Sequence, residues 1–148
     1  MSERSVPKWV NSMMKFMLRS PFHRGISQSI MLITFTGRKT GKRYTTPIRY
    51  LQTHNKVIAF TQEKWWKNLE TKTPIELRLR GDRVRGIPTP VMGSTSPIQT
   101  SLQDFLQHFP SDAKYYAVAV DEHGQPNPDD VLKAAQNTIM LEIQLQTP

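Results

Sequence analysis

The sequence predicts an α+β protein whose antiparallel β-strands close into a small barrel with helices at its periphery. Two observations predict this fold. In the first half of the chain, runs with strand character follow one another without helices between them, which favours antiparallel hairpins. The C-terminal third carries capped helical segments before a last alternating strand. Because 148 residues suffice for one buried core, residues 1–148 are predicted to form a single domain.

The first predicted element is an amphipathic helix over about residues 6–20. Ser5 and Pro7 suit a helix start, and Pro21 ends the pattern. More than half of the circumference is apolar, and this face is rich in methionine. Such a face either packs on the barrel or meets a lipid, a membrane surface or an apolar substrate. Peripheral membrane contact is therefore an alternative for this helix.

Six strands are predicted for the sheet. Apolar and polar residues alternate most clearly in the fourth, where Ile75, Leu77 and Leu79 face inward. Gly81-Asp82 is predicted as the two-residue hairpin turn that follows. The six strands are Ile30–Thr36, Tyr44–Leu51, Lys56–Thr61, Ile75–Arg80, Arg83–Val91 and Ile139–Leu145.

Helices are predicted at four places after the first strands. A short one spans Trp65 to Thr71. Ser96 and Pro97 begin the firmest one, because an N-cap and a first-turn proline precede apolar residues at helical spacing. The segment "SDAKYY" fits a short helix, although "YYAVAV" also fits a strand. Asn127 caps the last helix, which is predicted to continue through Gln136.

The net charge of +8 hides a strong asymmetry. Residues 1–85 hold 18 Lys/Arg and 5 Asp/Glu, whereas residues 86–148 hold 2 and 7. A half-chain this basic attracts anions. The absence of cysteine excludes disulfides and thiolate chemistry, and the four scattered histidines argue against a metal site.

The apolar runs are too short for a membrane span, and the N-terminus lacks the pattern of a secretory signal. A cytoplasmic protein is therefore expected, with membrane association through the first helix as the alternative.

The most informative stretch is "TGRKTGKRYTTP", residues 36–47. Its glycine spacing does not fit a nucleotide-binding P-loop, and Arg43 stands where a magnesium-binding hydroxyl would follow Lys42. Gly37 and Gly41 would instead let backbone N–H groups converge as an anion nest. Arginines and lysines beside such a nest favour a phosphorylated ligand. The alternative is an exposed basic hairpin that serves solubility.

The segment "MLITFTGRKTGKRYTTPIRYL" resembles the TGRKTG motif of the deazaflavin (F420)-dependent nitroreductase family, within the FMN-binding split β-barrel superfamily. "WWKNL" resembles that family's W-Y-x-N-L helix, and weaker likeness extends to the last strand. The resemblance covers about residues 30–148. It implies a six-stranded antiparallel split β-barrel that binds coenzyme F420 and transfers a hydride from its reduced form to a hydrophobic, electron-poor acceptor such as a quinone, nitro compound or enone.

The resemblance also implies roles for individual residues. Two of them are catalytic candidates: Tyr115 falls on a tyrosine of the family's substrate pocket, and Arg49 replaces an apolar residue two positions after Pro47. Tyr115 would donate a proton or polarise the substrate, and the alternative is an ordinary half-buried tyrosine. Arg49, which departs from the family pattern, would meet an anionic group or pair with Glu63 or Glu76 on a neighbouring strand. The cofactor-binding candidates are Gly37, Arg38, Lys39, Thr40, Gly41, Arg43, Thr61, Trp65 and Asn68.

Departures from the family pattern leave other functions open. The connection between Thr61 and Trp65 is only "QEK", shorter than the family's glycine-containing loop, so FMN, haem or no cofactor are alternatives to F420. A non-catalytic barrel binding an anionic apolar ligand, such as a fatty acid or tetrapyrrole, is the second class. A single-stranded nucleic-acid binder is the third. The predicted partners are a small-molecule cofactor and a hydrophobic substrate without nucleic acid, and analogy suggests a homodimer.

Overall fold

The computed structural model describes residues 29–92 and 96–146. Its strands are β1 (Ile30–Thr36), β2 (Arg43–Arg49), β3 (Leu51–Thr53), β4 (Lys56–Thr61), β5 (Ile75–Leu79), β6 (Asp82–Val91) and β7 (Ile139–Leu145). Its helices are α1 (Ser96–His108), α2 (Pro128–Ala135) and the 3-10 helices Lys64–Leu69 and Pro110–Tyr116. The predicted helix over residues 6–20, with its membrane contact, lies outside the described residues. No helix within the described ranges is long and apolar enough to cross a bilayer.

The order of the strands explains why the sheet curls. The strands lie in the order β2-β1-β5-β6-β7-β4-β3, so β2 and β3 form opposite edges of the sheet. Only Tyr50 separates the end of β2 from the start of β3. Since one residue spans at most ~3.6 Å, the two edges must approach each other, and the sheet curls into a half-barrel. The predicted α+β antiparallel split barrel is confirmed.

The sheet has seven strands rather than the predicted six, because the segment Tyr44–Leu51 is divided at Tyr50. The Tyr50 N–H donates a hydrogen bond to the carbonyl of Ser29, the residue before β1, at 3.0 Å. The next residue, Leu51, pairs with Ile58 of β4 at the other edge. The hydrophobic pattern continues across this step, so the sequence alone shows one strand.

Strand β1 separates a core face from a more exposed face, which is apolar at Ile30 and Leu32 and polar at Thr34 and Thr36. Met31, Ile33 and Phe35 are buried, whereas Thr34 between them is only partly buried. In the pairing with β5, Thr34 lies opposite Glu76. The polar part of this face, with Thr34 and Thr36 of β1 and Glu76 of β5, carries the candidate site described below.

The β5–β6 turn differs by one residue from the predicted turn. Leu79 pairs with Asp82, so the two loop residues are Arg80 and Gly81 rather than Gly81 and Asp82. Both loop residues have positive φ, +50° and +88°, as a type I′ hairpin requires. The prediction was wrong because Arg80 seldom adopts this conformation, whereas the dipeptide Gly-Asp suits a hairpin loop.

The described residues group into two compact units. The first contains residues 29–59, 63–90 and 141–146, and the second contains residues 60–62, 91–92 and 96–140. The single domain over residues 1–148 stays a prediction.

In the second unit, the predicted helix face of α1 forms a core. Leu102, Phe105 and Leu106 are buried. The Phe105 ring packs edge-on against Phe60 and Phe109, with centroid distances of 5.0 and 5.1 Å. Such aromatic pairs stabilise a core beyond their buried area by about 0.5–1.5 kcal/mol each.

Helix α2 begins as the sequence predicts, since the Asn127 side-chain oxygen accepts a hydrogen bond from the Asp130 N–H at 3.0 Å. The segment "SDAKYY", which fitted a helix or a strand, lies in the 3-10 helix Pro110–Tyr116. This helix ends at Ala117, which has a φ of +57°.

Candidate anion-binding cavity

The connection between β1 and β2, together with the first residue of β2, is named the cradle and comprises residues 37–43. It is a closed turn. The Gly37 N–H donates to the Lys42 carbonyl at 2.7 Å, and the Gly41 N–H donates to the Gly37 carbonyl at 2.8 Å. These two bonds fix the path of the chain between the two strands.

The two glycines of the cradle are required for different reasons. A Cβ added at Gly37 would lie 2.7 Å from Cε2 of Tyr44 and 2.8 Å from Oγ1 of Thr40. At Gly41 the space is open, but φ is +73°. Gly37 therefore permits a close approach of side chains, and Gly41 permits the left-handed backbone. The Thr40 and Tyr44 hydroxyls lie 3.1 Å apart and share a hydrogen bond, which links the cradle to β2.

The predicted backbone nest is wrong for the N–H groups of Gly37, Arg38, Gly41 and Lys42. The Arg38 N–H donates to Oδ1 of Asn68 at 2.9 Å, and the Lys42 N–H donates to Oγ1 of Thr40 at 3.2 Å. With the two glycine bonds, all four N–H groups have partners within the protein. Side chains must therefore make most of any contact with an anion.

Asn68 joins the cradle to the 3-10 helix Lys64–Leu69. While its Oδ1 accepts from Arg38, its Nδ2 donates to the Trp65 carbonyl at 2.9 Å. The Trp65 ring stacks on Phe35 of β1 with centroids 5.4 Å apart and an interplanar angle of 15°. The sequence motifs around Gly37 and Asn68 are thus joined by hydrogen bonds in one arrangement.

A cavity of about 450 Å³ lies beside the cradle in the first unit. Five of the predicted cofactor-binding residues line it: Gly37, Arg38, Gly41, Arg43 and Asn68. The guanidinium groups are suited to phosphate or carboxylate oxygens because they offer several donors in a fixed plane.

Further residues of this cavity were not predicted from the sequence. Arg85 of β6 and Glu76 of β5 line it and are directly paired across the two strands. Four threonines also line it: Thr34, Thr36, Thr71 and Thr73. Thr34 and Thr36 show only the outward phase of an alternating strand in the sequence, and Thr71 and Thr73 lie in the connection between the 3-10 helix Lys64–Leu69 and β5. The pairing of β1 with β5 is needed to place them beside the cradle.

Charged side chains around the cavity form long ion pairs. Arg43 Nη2 lies 3.7 Å from one Glu76 oxygen, and Arg83 Nε lies 3.6 Å from the other. Arg38 Nη1 lies 3.6 Å from Glu70. The side chains are 38–66% exposed. Pairs of this kind contribute about 0–1 kcal/mol each, so an incoming anion can compete for the arginines at small cost.

The other predicted binding residues of the cradle are placed differently. Lys39 is exposed on the turn. The Thr40 hydroxyl shares a hydrogen bond with the Tyr44 hydroxyl, as described above, and Thr40 does not line the cavity.

Arg49 is not brought together with the cradle. It pairs with Ile30, whereas Arg43 pairs with Thr36 at the opposite end of β2. Six residues of strand separate the two arginines by ~20 Å. The Arg49 Nη1 donates to the Ser29 hydroxyl at 2.9 Å.

Two predicted residues belong to the second unit. Thr61 is buried near the end of β4. Tyr115 is 70% exposed, with the Lys114 ammonium 5.3 Å from its ring centroid. Their roles toward a cofactor or substrate stay predictions.

Among the described residues, no group of three or more His, Asp or Glu side chains is placed to hold a metal ion.

Solved structures share this fold at low sequence identity. A structure described as an F420-H2 dependent reductase matches with a TM-score of 0.56 and 14% identity, covering 79% of this chain and 95% of that chain. A pyridoxamine 5'-phosphate oxidase-related, FMN-binding protein from Nostoc punctiforme PCC 73102 matches with a TM-score of 0.54 and 16% identity, covering 98% and 83%.

A protein of unknown function from Agrobacterium tumefaciens str. C58 matches with a TM-score of 0.51 and 12% identity. The match covers 86% of this chain but only 57% of the length of that protein. No protein-family model matches the sequence, and no curated protein matches it. At these identities the likeness establishes the split-barrel fold and leaves the activity to be argued from the site.

Proposed function

We propose that the cavity binds the phosphate-bearing part of a flavin-type cofactor and that the protein is an oxidoreductase. The finer proposal is hydride transfer from reduced F420 to a hydrophobic, electron-poor acceptor such as a quinone, nitro compound or enone. FMN is the alternative cofactor. The observation that carries the proposal is the convergence of Arg38, Arg43 and Arg85 on one cavity beside the cradle.

The charge of the cavity supports a phosphorylated ligand. Three arginines line it, with Glu76 as the one carboxylate among the described lining residues. A phosphate dianion would leave this group of charges balanced. Arginine can bind a phosphate through two parallel hydrogen bonds, which fixes its position as well as attracting it.

The residues would act by binding and orientation. When bound, the flavin or deazaflavin supplies the hydride chemistry itself. Arg38, Arg43 and Arg85 would hold its phosphate. Asn68 keeps the cradle and the 3-10 helix Lys64–Leu69 in register, so that a cofactor anchored at its phosphate has a fixed orientation.

Tyr115 as proton donor and Arg49 as a contact for an anionic group remain proposals. Neither lines the cavity. If Tyr115 donates the proton, Tyr115→Phe should lower turnover. The affinity for the cofactor should stay unchanged, because Tyr115 does not line the cavity.

The lining argues against the predicted binding of a fatty acid or tetrapyrrole in this cavity. Threonines and charged groups dominate it, whereas apolar ligands favour apolar walls. No observation in the described residues favours that second function over the first.

Fluorescence titration of the purified protein with F420 and, separately, with FMN tests the proposal. Arg43→Ala should weaken binding at least ~10-fold, because it removes a charge-assisted contact. Lys39→Ala should have a smaller effect, since Lys39 lies on the turn outside the lining.

Lys56→Ala is the matched control. It removes a cation of the same unit that pairs with Glu142 at 3.9 Å, away from the cavity. Lys56→Ala should bind both cofactors as tightly as the natural protein. If Arg43→Ala also binds them as tightly, the cavity is not the cofactor site. Haem and a fatty acid, titrated in parallel, identify binding of the apolar class.

A further inference from the structure

Glu76 stands out because it places a negative charge inside a cavity that is otherwise cationic. It lies on the polar face of β5, opposite Thr34 of β1 and Arg85 of β6. All three residues line the cavity. A carboxylate here repels an anionic ligand, which opposes the attraction of the arginines.

The contacts of Glu76 leave it able to accept hydrogen bonds. Its described partners are Arg43 and Arg83, at 3.7 and 3.6 Å. Both distances exceed the range of a hydrogen bond, so these contacts are ion pairs alone. An ionised carboxylate only accepts hydrogen bonds, and it offers about four positions for donors.

The threonines beside Glu76 extend this polar character. Thr34 shares a hydrogen bond with Thr45 at 2.9 Å, and Thr71 shares one with Thr73 at 3.0 Å. Hydroxyl groups can donate or accept, so these side chains can adapt to a ligand that does both. The cavity therefore combines cations for a phosphate with acceptors for hydroxyl hydrogens.

We propose that Glu76 is the specificity-determining residue of the cavity and selects phosphate esters that carry hydroxyl groups next to the phosphate. A polyol phosphate can donate hydroxyl hydrogens to Glu76 while its phosphate meets Arg38, Arg43 and Arg85. A phosphate ester without hydroxyls meets the same arginines and is repelled by Glu76, but it has no hydroxyl donors to offset this repulsion. This inference rests on the proposed function, since it assigns the same cavity to the phosphate.

Binding of two fragments tests the inference. Ribitol phosphate and methyl phosphate are both monoesters, but only ribitol phosphate carries hydroxyl groups. Titration of each, followed by NMR through the backbone amides of the cradle, measures even weak binding. The natural protein should prefer ribitol phosphate by at least ~10-fold, the discrimination expected when a buried or half-buried hydrogen-bonding site recognises hydroxyl groups.

Glu76→Gln should reduce this preference to about 2-fold or less. It removes the repulsion, so methyl phosphate should bind about 3-fold to 10-fold more tightly, and it weakens the acceptor for ribitol phosphate. Glu142→Gln is the matched control, because Glu142 is also a sheet carboxylate, 37% exposed against 38% for Glu76, and pairs with Lys56 outside the cavity. Its preference should equal that of the natural protein.

Equal affinity for the two fragments in the natural protein would overturn the inference, and so would an unchanged preference in Glu76→Gln. Comparison of the unfolding midpoints of the two glutamine variants verifies that both are folded. The outcome is separate from the cofactor titrations. If ribitol phosphate is preferred through Glu76 but no flavin binds, the proposed function fails and the inference stands. If a flavin binds and Glu76→Gln changes nothing, only the inference fails.

Discussion

In the described residues, the first compact unit carries 13 Lys/Arg against 5 Asp/Glu, whereas the second carries 2 against 6. The two units use their charges differently. In the second unit, Asp121 Oδ1 accepts hydrogen bonds from the N–H groups of His123 and Gln125, and Asp130 Oδ2 accepts from the N–H of Ala119. These carboxylates shape loops and helix ends.

In the first unit, several arginines surround the cavity in long and partly exposed ion pairs. Such pairs add little to stability. A charge that contributes little to folding is available for a ligand. The difference between the units therefore separates structural charges from binding charges, and substitutions in each unit should change different measured quantities.

The largest effect is expected for Gly37→Ala in the cradle. Its Cβ would lie too close to Tyr44 and Thr40, and Tyr44 is buried and cannot easily move away. The free energy of unfolding should fall by about 1–3 kcal/mol, as for other overpacked sites. Chemical denaturation measures this loss, and cofactor affinity measured by fluorescence should fall at least ~10-fold because the wall of the cavity moves.

Gly124→Ala in the second unit is its control. Open space surrounds Gly124, and its φ is +78°. The variant should lose only about 1–2 kcal/mol from the left-handed backbone and should keep the cofactor affinity. A Gly37→Ala protein that binds cofactor as well as Gly124→Ala would show that the cradle is not part of the site.

A smaller loss is expected for Asp121→Ala, which removes the acceptor of two backbone N–H groups in the second unit. The free energy of unfolding should decrease by about 1–2 kcal/mol, with cofactor affinity unchanged. Thermal and chemical unfolding measure the first quantity.

The neighbouring Glu122→Ala provides the comparison, because the Glu122 side chain is 85% exposed and its one ion-pair contact within the described residues is with His123 at 3.5 Å. Its effect should stay within about 0.5 kcal/mol. Equal stability of the two variants would mean that the carboxylates of this unit are not structural.

The smallest effect is expected for Arg80→Ala. This variant allows a structural arginine to be compared with a binding arginine inside the basic unit. Arg80 Nη1 donates to the Tyr50 hydroxyl at 2.9 Å, and Nη2 donates to Gln52 Oε1 at 2.7 Å. This arginine ties the β5–β6 turn to the step between β2 and β3. Its loss should reduce the free energy of unfolding by about 1 kcal/mol and leave cofactor affinity unchanged.

Arg43→Ala should leave the free energy of unfolding nearly unchanged and weaken cofactor binding. Its long ion pair contributes little to folding, and its place in the cavity predicts a loss of affinity. If both variants lose stability and affinity alike, the arginines of the first unit cannot be divided into structural and binding groups.

Local features of the fold were predictable from the sequence. The bounds of β1 and β4 agree with the alternating patterns, and Asn127 caps α2 as its position before Pro128 indicates. The Arg80-Gly81 turn was predicted one residue too late, because the pairing of Leu79 with Asp82 overrides the preference of single residues.

The candidate site was predictable only in part. The motif around Gly37 and the helix with Asn68 are visible as sequence patterns, and the structure joins them through Arg38. The nest of N–H groups was expected from glycine spacing, but the partners of those groups depend on how the turn closes. Arg85 and Glu76 were missed since they lie more than 30 residues away from Gly37 in the chain.

Three features follow from the amino-acid sequence alone: the charge asymmetry, most strand and helix positions, and the glycine-containing turn between β1 and β2. These depend on side-chain periodicity and backbone preferences within a few residues. The three-dimensional fold is needed to show that β1 lies beside β5, that the chain passes from one sheet edge to the other at Tyr50 and that Glu76 and Arg85 line the same cavity as the cradle. Such pairings depend on burying the faces of distant strands together, and no local pattern encodes them.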